Sequence, residues 1–318
     1  MMLAPCLKTS LATLSLATPL MNASGTFCPE TYSRLAPLTQ QLGVLVTKTV
    51  TPQGSHGNAQ QRTVELPGVG MLNSIGLQGK GLTHTLEHDL PVWQTHGLPV
   101  ALSISAPSPE AFAALAFEAL THPLAASIGM LELNLSCPNV KAGGSHFGAD
   151  PLWVSPVVQE VKAVVAHTAF AKVPVFVKLT PNVANIVAIA EAALLAGADG
   201  LVAINTVLGC HIDIKCRTPS LSRVSGGYSG PGIKPIAIHA LVQLATAFPN
   251  VPIVGVGGIR RFEDVLEFVM AGAAAVQVGT SCFANPSIFL QMNEALTAWC
   301  EAEGVNNLAE LRACAIVS

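Results

Sequence analysis

A cysteine stands directly before a proline in the stretch LELNLSCPNVKAGG, which runs from Leu131 to Gly144. Cys137 lies between Asn134 and Asn139, where an apolar run gives way to polar residues and glycines. A thiol has a reference pKa of about 8.5, close enough to neutrality to accept a proton when its surroundings help. Most free cysteines are instead small buried hydrophobic residues. The residues alone leave both roles open for Cys137.

Two lysines, Lys48 and Lys178, each follow an apolar run with the pattern of a buried strand. An ammonium group is costly to bury without an anion, so a lysine at such a position indicates a negatively charged ligand nearby. The alternative is that each long side chain extends to the rim and keeps its charge in water. Two such lysines in otherwise apolar runs favour a binding or catalytic role.

Glycines mark a candidate phosphate site in GVGGI, residues 255–259, and in VGT, residues 278–280. Phosphate binds to backbone N–H groups, and a side chain at these positions would block its approach. Gly257, Gly258, Gly279 and Thr280 are therefore predicted to hold a phosphate group. The pattern indicates a phosphate but not which phosphorylated ligand carries it.

Eight short apolar runs must position these residues. They are residues 19–25, 43–49, 99–105, 130–136, 173–179, 199–205, 251–258 and 274–280. Most are followed by helical periodicity, as over residues 152–167, 186–196 and 262–271. Strands alternating with helices indicate a parallel sheet, and eight units favour an α/β fold of the (β/α)8 TIM barrel type. An open Rossmann-type sheet would need an early Gly-x-Gly-x-x-Gly turn, which the N-terminal region lacks.

The prediction is one domain over residues 1–318, with an N-terminal β-hairpin and long loops over the C-terminal face. The longest connection runs from Val50 to Leu98. In a barrel the carboxyl ends of the strands converge on one face, which carries the active site. Strand ends that face solvent are often polar in any protein. This explanation accounts for one or two of the polar residues at the strand ends, but less well for both lysines.

Composition excludes several classes of partner. The chain has 318 residues, a net charge of −3 and no cluster of Lys or Arg, so nucleic acid and anionic membranes are not expected partners. No apolar run is long enough to span a bilayer. The N-terminal stretch resembles a half-exposed strand more than a signal peptide. Eight cysteines without a Cys-x-x-Cys pair indicate cytoplasmic free thiols, and any iron–sulfur centre would come from a partner.

In this order, the segments NASGTF, TKT, GMLNSIGLQGKG, NLSCPNVKAGGSHFG, VKLTPN, INTVLGCHIDIK, SGGYSGPGIKP, GVGGI and VGT resemble the class 1 dihydroorotate dehydrogenases. The loop CPNVKAGGSHFG is most similar to the NAD-linked class 1B. This resemblance implies an FMN-binding barrel that oxidises dihydroorotate to orotate in de novo pyrimidine (UMP) biosynthesis. It also implies a homodimer core and a partner subunit carrying FAD and [2Fe-2S], which passes electrons to NAD in a heterotetramer.

The resemblance assigns roles to residues. It implies that Cys137 is the general base, that Lys48 lies between flavin and substrate, and that Lys178 stabilises negative charge on the reduced flavin. The implied substrate-binding residues are Lys48, Asn73, Ser74, Ile75, Gly76, Leu77, Asn134, Asn139, Asn205 and Thr206. The implied FMN-binding residues are Ala23, Ser24, Gly25, Lys48, Thr49, Ser103, Asn134, Lys178, Ile204, Gly230, Gly257, Gly258, Gly279 and Thr280. No metal ligand is expected. Residues 103–108 and Cys210 depart from the usual family pattern.

Four alternatives remain open on the sequence. A class 1 enzyme with another electron acceptor and a related flavin-dependent pyrimidine reductase share the fold and cofactor, and substrate tests separate the reductase. A barrel lyase or isomerase using lysine chemistry would be colourless and sensitive to borohydride with its carbonyl substrate. A catalytically idle flavin-binding subunit would keep the glycines but tolerate loss of Cys137.

Overall fold

The computed structural model describes residues 3–27, 41–136 and 147–316. Its central sheet has eight parallel strands: β1 (Leu20–Asn22), β2 (Leu45–Val46), β3 (Val100–Ile104), β4 (Ile128–Asn134), β5 (Val175–Leu179), β6 (Gly200–Ala203), β7 (Ile253–Val256) and β8 (Ala275–Val278). Strand β8 pairs with β1, and a parallel bridge between Met21 and Val44 joins β1 to β2. The sheet closes on itself, and the predicted (β/α)8 barrel is confirmed.

Within the part of the chain that the structure describes, helices follow the strands from β2 onward. They are α1 (Leu82–His84), α2 (Leu90–Gln94), α3 (Pro109–Thr121), α4 (Pro151–Ala166), α5 (Ile186–Leu195), α6 (Lys234–Ala247), α7 (Phe262–Met270), α8 (Ser281–Ala284) and α9 (Ile288–Glu303). A π-helical turn, Thr85–Asp89, joins α1 to α2. Short 3-10 turns occupy Pro5–Leu7, Ala125–Ser127, Phe147–Ala149, Pro231–Ile233 and Leu308–Leu311. The three helical stretches predicted from periodicity correspond to α4, α5 and α7.

Helix starts follow from local sequence. Ser108 caps α3 by accepting a hydrogen bond from the backbone N–H of Ala111, and Asp150 caps α4 by accepting one from Leu152. Both caps are followed by proline, which suits the first helical position because its missing N–H would have no partner there. Asn185 caps α5 through two backbone N–H groups. These caps fix where the chain turns from each strand into its helix.

The N-terminal hairpin pairs Thr9–Leu11 with Leu14–Leu16. Leu11 and Leu16 are buried in the same apolar cluster as the inward-facing barrel residues, among them Met130 and Phe176. The Thr9 hydroxyl also donates to the backbone oxygen of Ala274, directly before β8. The predicted hairpin is therefore confirmed, and it closes the end of the barrel at which the strands begin.

A four-stranded antiparallel sheet lies at the opposite end. Its strands, in spatial order, are Val207–Gly209, Gly226–Ser229, Gly70–Asn73 and Thr63–Leu66. These strands come from two connections, β2 to β3 and β6 to β7. The same connections contain two further strand pairs, Gln53–Ser55 with Gly79–Gly81 and Ile212–Asp213 with Thr218–Pro219. The Thr280 hydroxyl donates to Ser229, so this sheet is tied to the carboxyl end of β8. The long loops over the C-terminal face are thus confirmed.

The barrel interior changes from apolar to polar along the strands. Ala101, Met130 and Phe176 face inward in the apolar cluster. Side chains along a strand alternate, so Ser103, Glu132 and Lys178, two residues further on, also face inward. The interior is thus apolar near the hairpin and polar toward the carboxyl ends. Among the described residues, no helix is both long and apolar enough to cross a membrane.

Candidate active site

A chain of polar side chains crosses the carboxyl ends of the barrel strands. The Ser24 hydroxyl donates to the backbone oxygen of Thr47 at 2.8 Å and lies 3.2 Å from Thr49 Oγ1. Thr49 Oγ1 lies 3.1 Å from Ser103 Oγ and accepts from Asn134 Nδ2 at 3.0 Å. Asn205 Nδ2 donates to Asn134 Oδ1 at 3.4 Å. Five residues predicted for the site, on five different strands or the turns after them, are therefore connected.

Lys178 is held inside the barrel by a buried carboxylate and a buried amide. Its Nζ lies 3.5 Å from Glu132 Oε1 and donates to Gln277 Oε1 at 3.2 Å. Gln277 Nε2 donates to Glu132 Oε2 at 2.6 Å. Lys178 is 5% exposed and the other two are fully buried, so its burial is compensated by a partner within the protein. The apolar run around Lys178 predicted a buried cation but not the internal anion beside it.

Lys48 differs from Lys178 because its side chain is exposed. It follows β2 at the carboxyl end of the barrel, between the buried residues Thr47 and Thr49. Of these two lysines, only Lys178 therefore carries a buried charge that needs a compensating anion. An exposed ammonium at the polar end of a barrel can still meet an anionic ligand, and the assigned role of Lys48 stays a prediction.

The two glycines after β7 leave no room for side chains. At Gly257, with φ +135°, an added methyl would lie 2.8 Å from Ala237 Cβ. At Gly258, with φ +76°, it would lie 2.7 Å from Lys234 Cβ and 2.8 Å from the Lys234 backbone nitrogen. The backbone of this turn thus packs directly against the start of α6. A turn built this way presents N–H groups instead of side chains, which suits a phosphate.

Asp264 braces the same turn. Its Oδ2 accepts hydrogen bonds from the backbone N–H groups of Arg260 and Arg261, at 2.8 and 3.1 Å. Its Oδ1 accepts from Lys234 Nζ at 2.8 Å. Lys234 Nζ also donates to Glu267 Oε2. The hydrogen bond to Asp264, and after it the one to Glu267, raises the pKa of the Lys234 ammonium. One nearly buried carboxylate therefore joins the glycine turn, the start of α7 and the start of α6.

Because the glycine turn is predicted to hold the phosphate of FMN, Gly258→Ala is expected to weaken FMN binding by about 10–100-fold, the equivalent of one displaced charge-assisted hydrogen bond. The added methyl meets the backbone of Lys234, so the turn must move away from its ligand-facing position. Titration of apoprotein with FMN, followed by flavin fluorescence, measures the dissociation constant. Gly304→Ala is the matched control, because Gly304 has φ +69° but no atom within 4 Å of the added methyl. Equal FMN affinity in the two variants would remove the glycine turn from the site.

The other glycines and backbone positions predicted for the cofactor lie at the same end. Gly230, with φ +111°, is packed so closely that an added methyl would lie 2.5 Å from Gly70 Cα. At Gly279 the methyl would lie 3.4 Å from Ala23 Cβ, an ordinary contact, so protein crowding does not account for that glycine. Gly25 is exposed with φ +82°. The backbone of buried Ile204 pairs with Val256, and Thr280 is half-buried beside Ser229.

The segment from Asn73 to Leu77, predicted to bind substrate, emerges from the antiparallel sheet. Asn73 Nδ2 donates to the backbone oxygen of Gly227. Thr206 packs against the same glycine, where an added methyl would lie 2.2 Å from its Oγ1. Asn58 braces the other side by donating to the backbone oxygen and hydroxyl of Ser74 and by its backbone bond to Ile75. Gly76 has φ +73° and would clash with Asn58 if it carried a side chain.

Cys137 and Asn139 lie outside the described residues, so their assigned roles stay predictions. The chain is described up to Ser136, whose backbone N–H donates to Asn134 Oδ1 at 3.3 Å. Asn134 itself belongs to the polar chain of the site. Ser136, the last described residue before Cys137, therefore lies at the polar end of the barrel.

Three residues of the site were not predicted from the sequence: Glu132, Gln277 and Asp264. The first two could have been found by the signal already used for the lysines, because each is a polar residue inside an otherwise apolar strand. Glu132 interrupts LELN and Gln277 interrupts VQV. Asp264 carries no comparable signal, since an acidic residue in the first turn of a helix is common on any surface.

The closed barrel, with polar groups and a glycine turn gathered at its carboxyl end, defines a (β/α)8-barrel enzyme. The profile of the family named dihydroorotate dehydrogenase matches residues 6–299. The chain belongs to the dihydroorotate dehydrogenase family.

Three relatives carry the name dihydroorotate dehydrogenase B (NAD(+)), catalytic subunit. That of Alkaliphilus metalliredigens (strain QYMF) is 43% identical over 307 residues, 96% of this chain and 97% of that protein. That of Listeria monocytogenes serovar 1/2a is 42% identical over 300 residues, 94% and 95% of the two chains. That of Bacillus thuringiensis (strain Al Hakam) is 42% identical over 305 residues, 96% and 95% of the two chains.

Proposed function

We propose that this chain oxidises dihydroorotate to orotate in pyrimidine biosynthesis, as the catalytic subunit of an NAD-linked dihydroorotate dehydrogenase. The observation that carries the proposal is the buried cation Lys178. It lies at the same end of the barrel as the glycine turn. A phosphate at the turn and a ring that gains negative charge near Lys178 match the two parts of a flavin mononucleotide. The names of the relatives agree with this assignment.

The chain offers a fitting set of groups for FMN. The turn at Gly257 and Gly258 has no room for side chains and fits a phosphate, and Gly279 and Thr280 follow the neighbouring strand β8. Ala23, Ser24, Gly25, Thr49, Ser103, Asn134, Ile204 and Gly230 would surround the rest of the cofactor, with Lys48 and Lys178 as cations. When bound, FMN supplies the acceptor for the two electrons removed from the substrate.

The substrate would lie on the side of the cofactor that faces away from the barrel interior. Asn73, Asn134, Asn139 and Asn205 carry amides that both donate and accept, which suits the imide and carboxylate edges of orotate without adding charge. Ser74, Ile75, Gly76, Leu77 and Thr206 would complete the pocket, and backbone N–H groups of the 73–77 segment would meet the carboxylate. Cys137 would take the proton from C5 of the ring.

Electron transfer to NAD would need a second protein. The relatives are named as catalytic subunits of NAD(+)-linked enzymes, which supports a partner subunit for this chain as well. We propose that the partner carries FAD and a [2Fe-2S] cluster, that two copies of this chain form the core, and that the heterotetramer is cytoplasmic. The cysteines of this chain follow no familiar cluster spacing, so the cluster is assigned to the partner.

The isolated chain is expected to bind FMN and to turn over dihydroorotate with an artificial electron acceptor, because all proposed site residues lie on this chain. Direct reduction of NAD should be weak. Purification of the chain alone, a flavin and iron count, and two parallel assays with an artificial acceptor and with NAD test this. Dihydrouracil serves as the control substrate and should react poorly. Rapid NADH production by an iron-free preparation would contradict the partner assignment, and a colourless protein would contradict the flavin itself.

A further inference from the structure

Three buried polar side chains meet across the inside of the barrel: Glu132 on β4, Lys178 on β5 and Gln277 on β8. Strands β4 and β5 are neighbours, but β8 lies on the opposite side of the closed sheet from β4. The cluster therefore spans the barrel and separates the apolar interior below from the polar chain of Asn134 above.

The hydrogen bonds fix the direction of each group. The carboxylate of Glu132 presents one oxygen to Lys178 Nζ and the other to Gln277 Nε2. The amide of Gln277 can satisfy both neighbours only in one orientation, because its oxygen faces the ammonium and its nitrogen faces the carboxylate. An ammonium carries three N–H groups, and two acceptors are present among the described residues. The third N–H meets no acceptor within the described part of the chain, which suits a ligand above Lys178.

The charges of the cluster cancel. Glu132 is fully buried and lies 3.5 Å from the ammonium, so water does not screen the pair. A ligand above Lys178 therefore meets a cation whose field is partly offset by the carboxylate. Replacing a carboxylate oxygen of Glu132 by NH₂ removes one negative charge, and replacing the NH₂ of Gln277 by oxygen adds one when the new carboxyl group is ionised. Both changes hardly alter the shape of the cluster.

We propose that Glu132 and Gln277 are positioning residues that set the direction and the effective charge of Lys178, and through it the reduction potential of the bound flavin. This inference rests on the proposed function, since it requires FMN above Lys178. Reduction adds negative charge to the flavin, so a more positive cluster favours the reduced form and a more negative cluster favours the oxidised form.

Two nearly isosteric variants test the proposal in opposite directions. Glu132→Gln makes the cluster more positive and should raise the midpoint potential of the bound FMN. Gln277→Glu places a second carboxylate against Glu132, and the two share one proton until the pH is high enough to ionise both. Above that pH the cluster is more negative and the potential should be lower than in the wild type, so the potentials are compared over a range of pH. The potentials are measured on the FMN-loaded chain by equilibration with reference dyes. Glu118→Gln, on the exposed face of α3, changes the charge by the same amount in water and should leave the potential unchanged.

The double variant Glu132→Gln/Gln277→Glu moves the carboxylate from β4 to β8 and restores neutrality. Its potential should return close to that of the wild type, and it should fold even if a single variant does not, because no buried charge is unpaired. A wild-type potential in Glu132→Gln, or a potential in Gln277→Glu that is raised or unchanged at every pH, would show a structural role only and overturn the inference. A double variant that recovers neither fold nor potential would do the same. Failure of the wild type to bind FMN would instead overturn the proposed function.

Discussion

Cys137→Ala is expected to slow reduction of the bound flavin by dihydroorotate about 10²–10⁴-fold, the usual effect of losing a general base. Binding of FMN and of orotate should stay close to wild type, because the thiol is assigned to proton transfer and not to holding either molecule. Stopped-flow absorbance of the flavin measures the reduction rate, and titration with orotate measures binding. Cys314→Ala, which removes an exposed thiol, is the control and should reduce its flavin normally.

The pH dependence of the same step identifies the ionising group. In the wild type the reduction rate should rise with pH through one ionisation, as the thiol becomes thiolate. Cys137→Ser should keep slightly more activity than the alanine variant but need higher pH, because a hydroxyl is a far weaker acid. Burial raises the pKa of Cys282 and of Cys300 to about 12, so neither thiol would account for an ionisation near neutrality. If Cys137→Ala reduced its flavin at the wild-type rate, Cys137 would be an ordinary packed thiol and another group would be the base.

The barrel could be predicted because its strands are buried on both faces. Each of the eight predicted runs overlaps one strand of the closed sheet, and polar residues such as Asn134, Lys178 and Asn205 fall at or beyond the strand ends. Position along a strand therefore sufficed to gather most of the candidate site at one end. Period-two alternation within LELNLS also assigns Glu132 and Asn134 to the same inward face.

Contacts across the barrel could not be predicted in the same way. Glu132 and Gln277 are 145 residues apart and lie on opposite strands, so nothing in either local stretch indicates that they form a hydrogen bond. The same holds for Asp264 and Lys234, which join two helices behind the glycine turn. The difference in burial between the two lysines could not be predicted either. Both lie at the ends of strands, but Lys48 is exposed and Lys178 is buried.

Lys178→Ala is expected to slow flavin reduction by about 10²–10³-fold, the range found when one preorganised electrostatic donor is removed. The positive charge matters most as electrons arrive, so the rate should fall more than substrate binding weakens. The same variant should lower the free energy of unfolding by about 3–5 kcal/mol, because it leaves the buried Glu132 carboxylate without its cation. Stopped-flow reduction and denaturant unfolding of the apoprotein measure the two effects separately.

A double variant separates the chemical effect of Lys178 from the structural one. Lys178→Met/Glu132→Gln removes both charges at once and leaves no buried ion unpaired, so much of the unfolding free energy lost in Lys178→Ala should return. Flavin reduction should nevertheless stay slow, because the cation is still absent. If the double variant recovered the reduction rate together with the stability, Lys178 would serve mainly to neutralise Glu132. If Lys178→Ala kept the wild-type reduction rate but raised the dissociation constant of the substrate, Lys178 would belong to substrate binding.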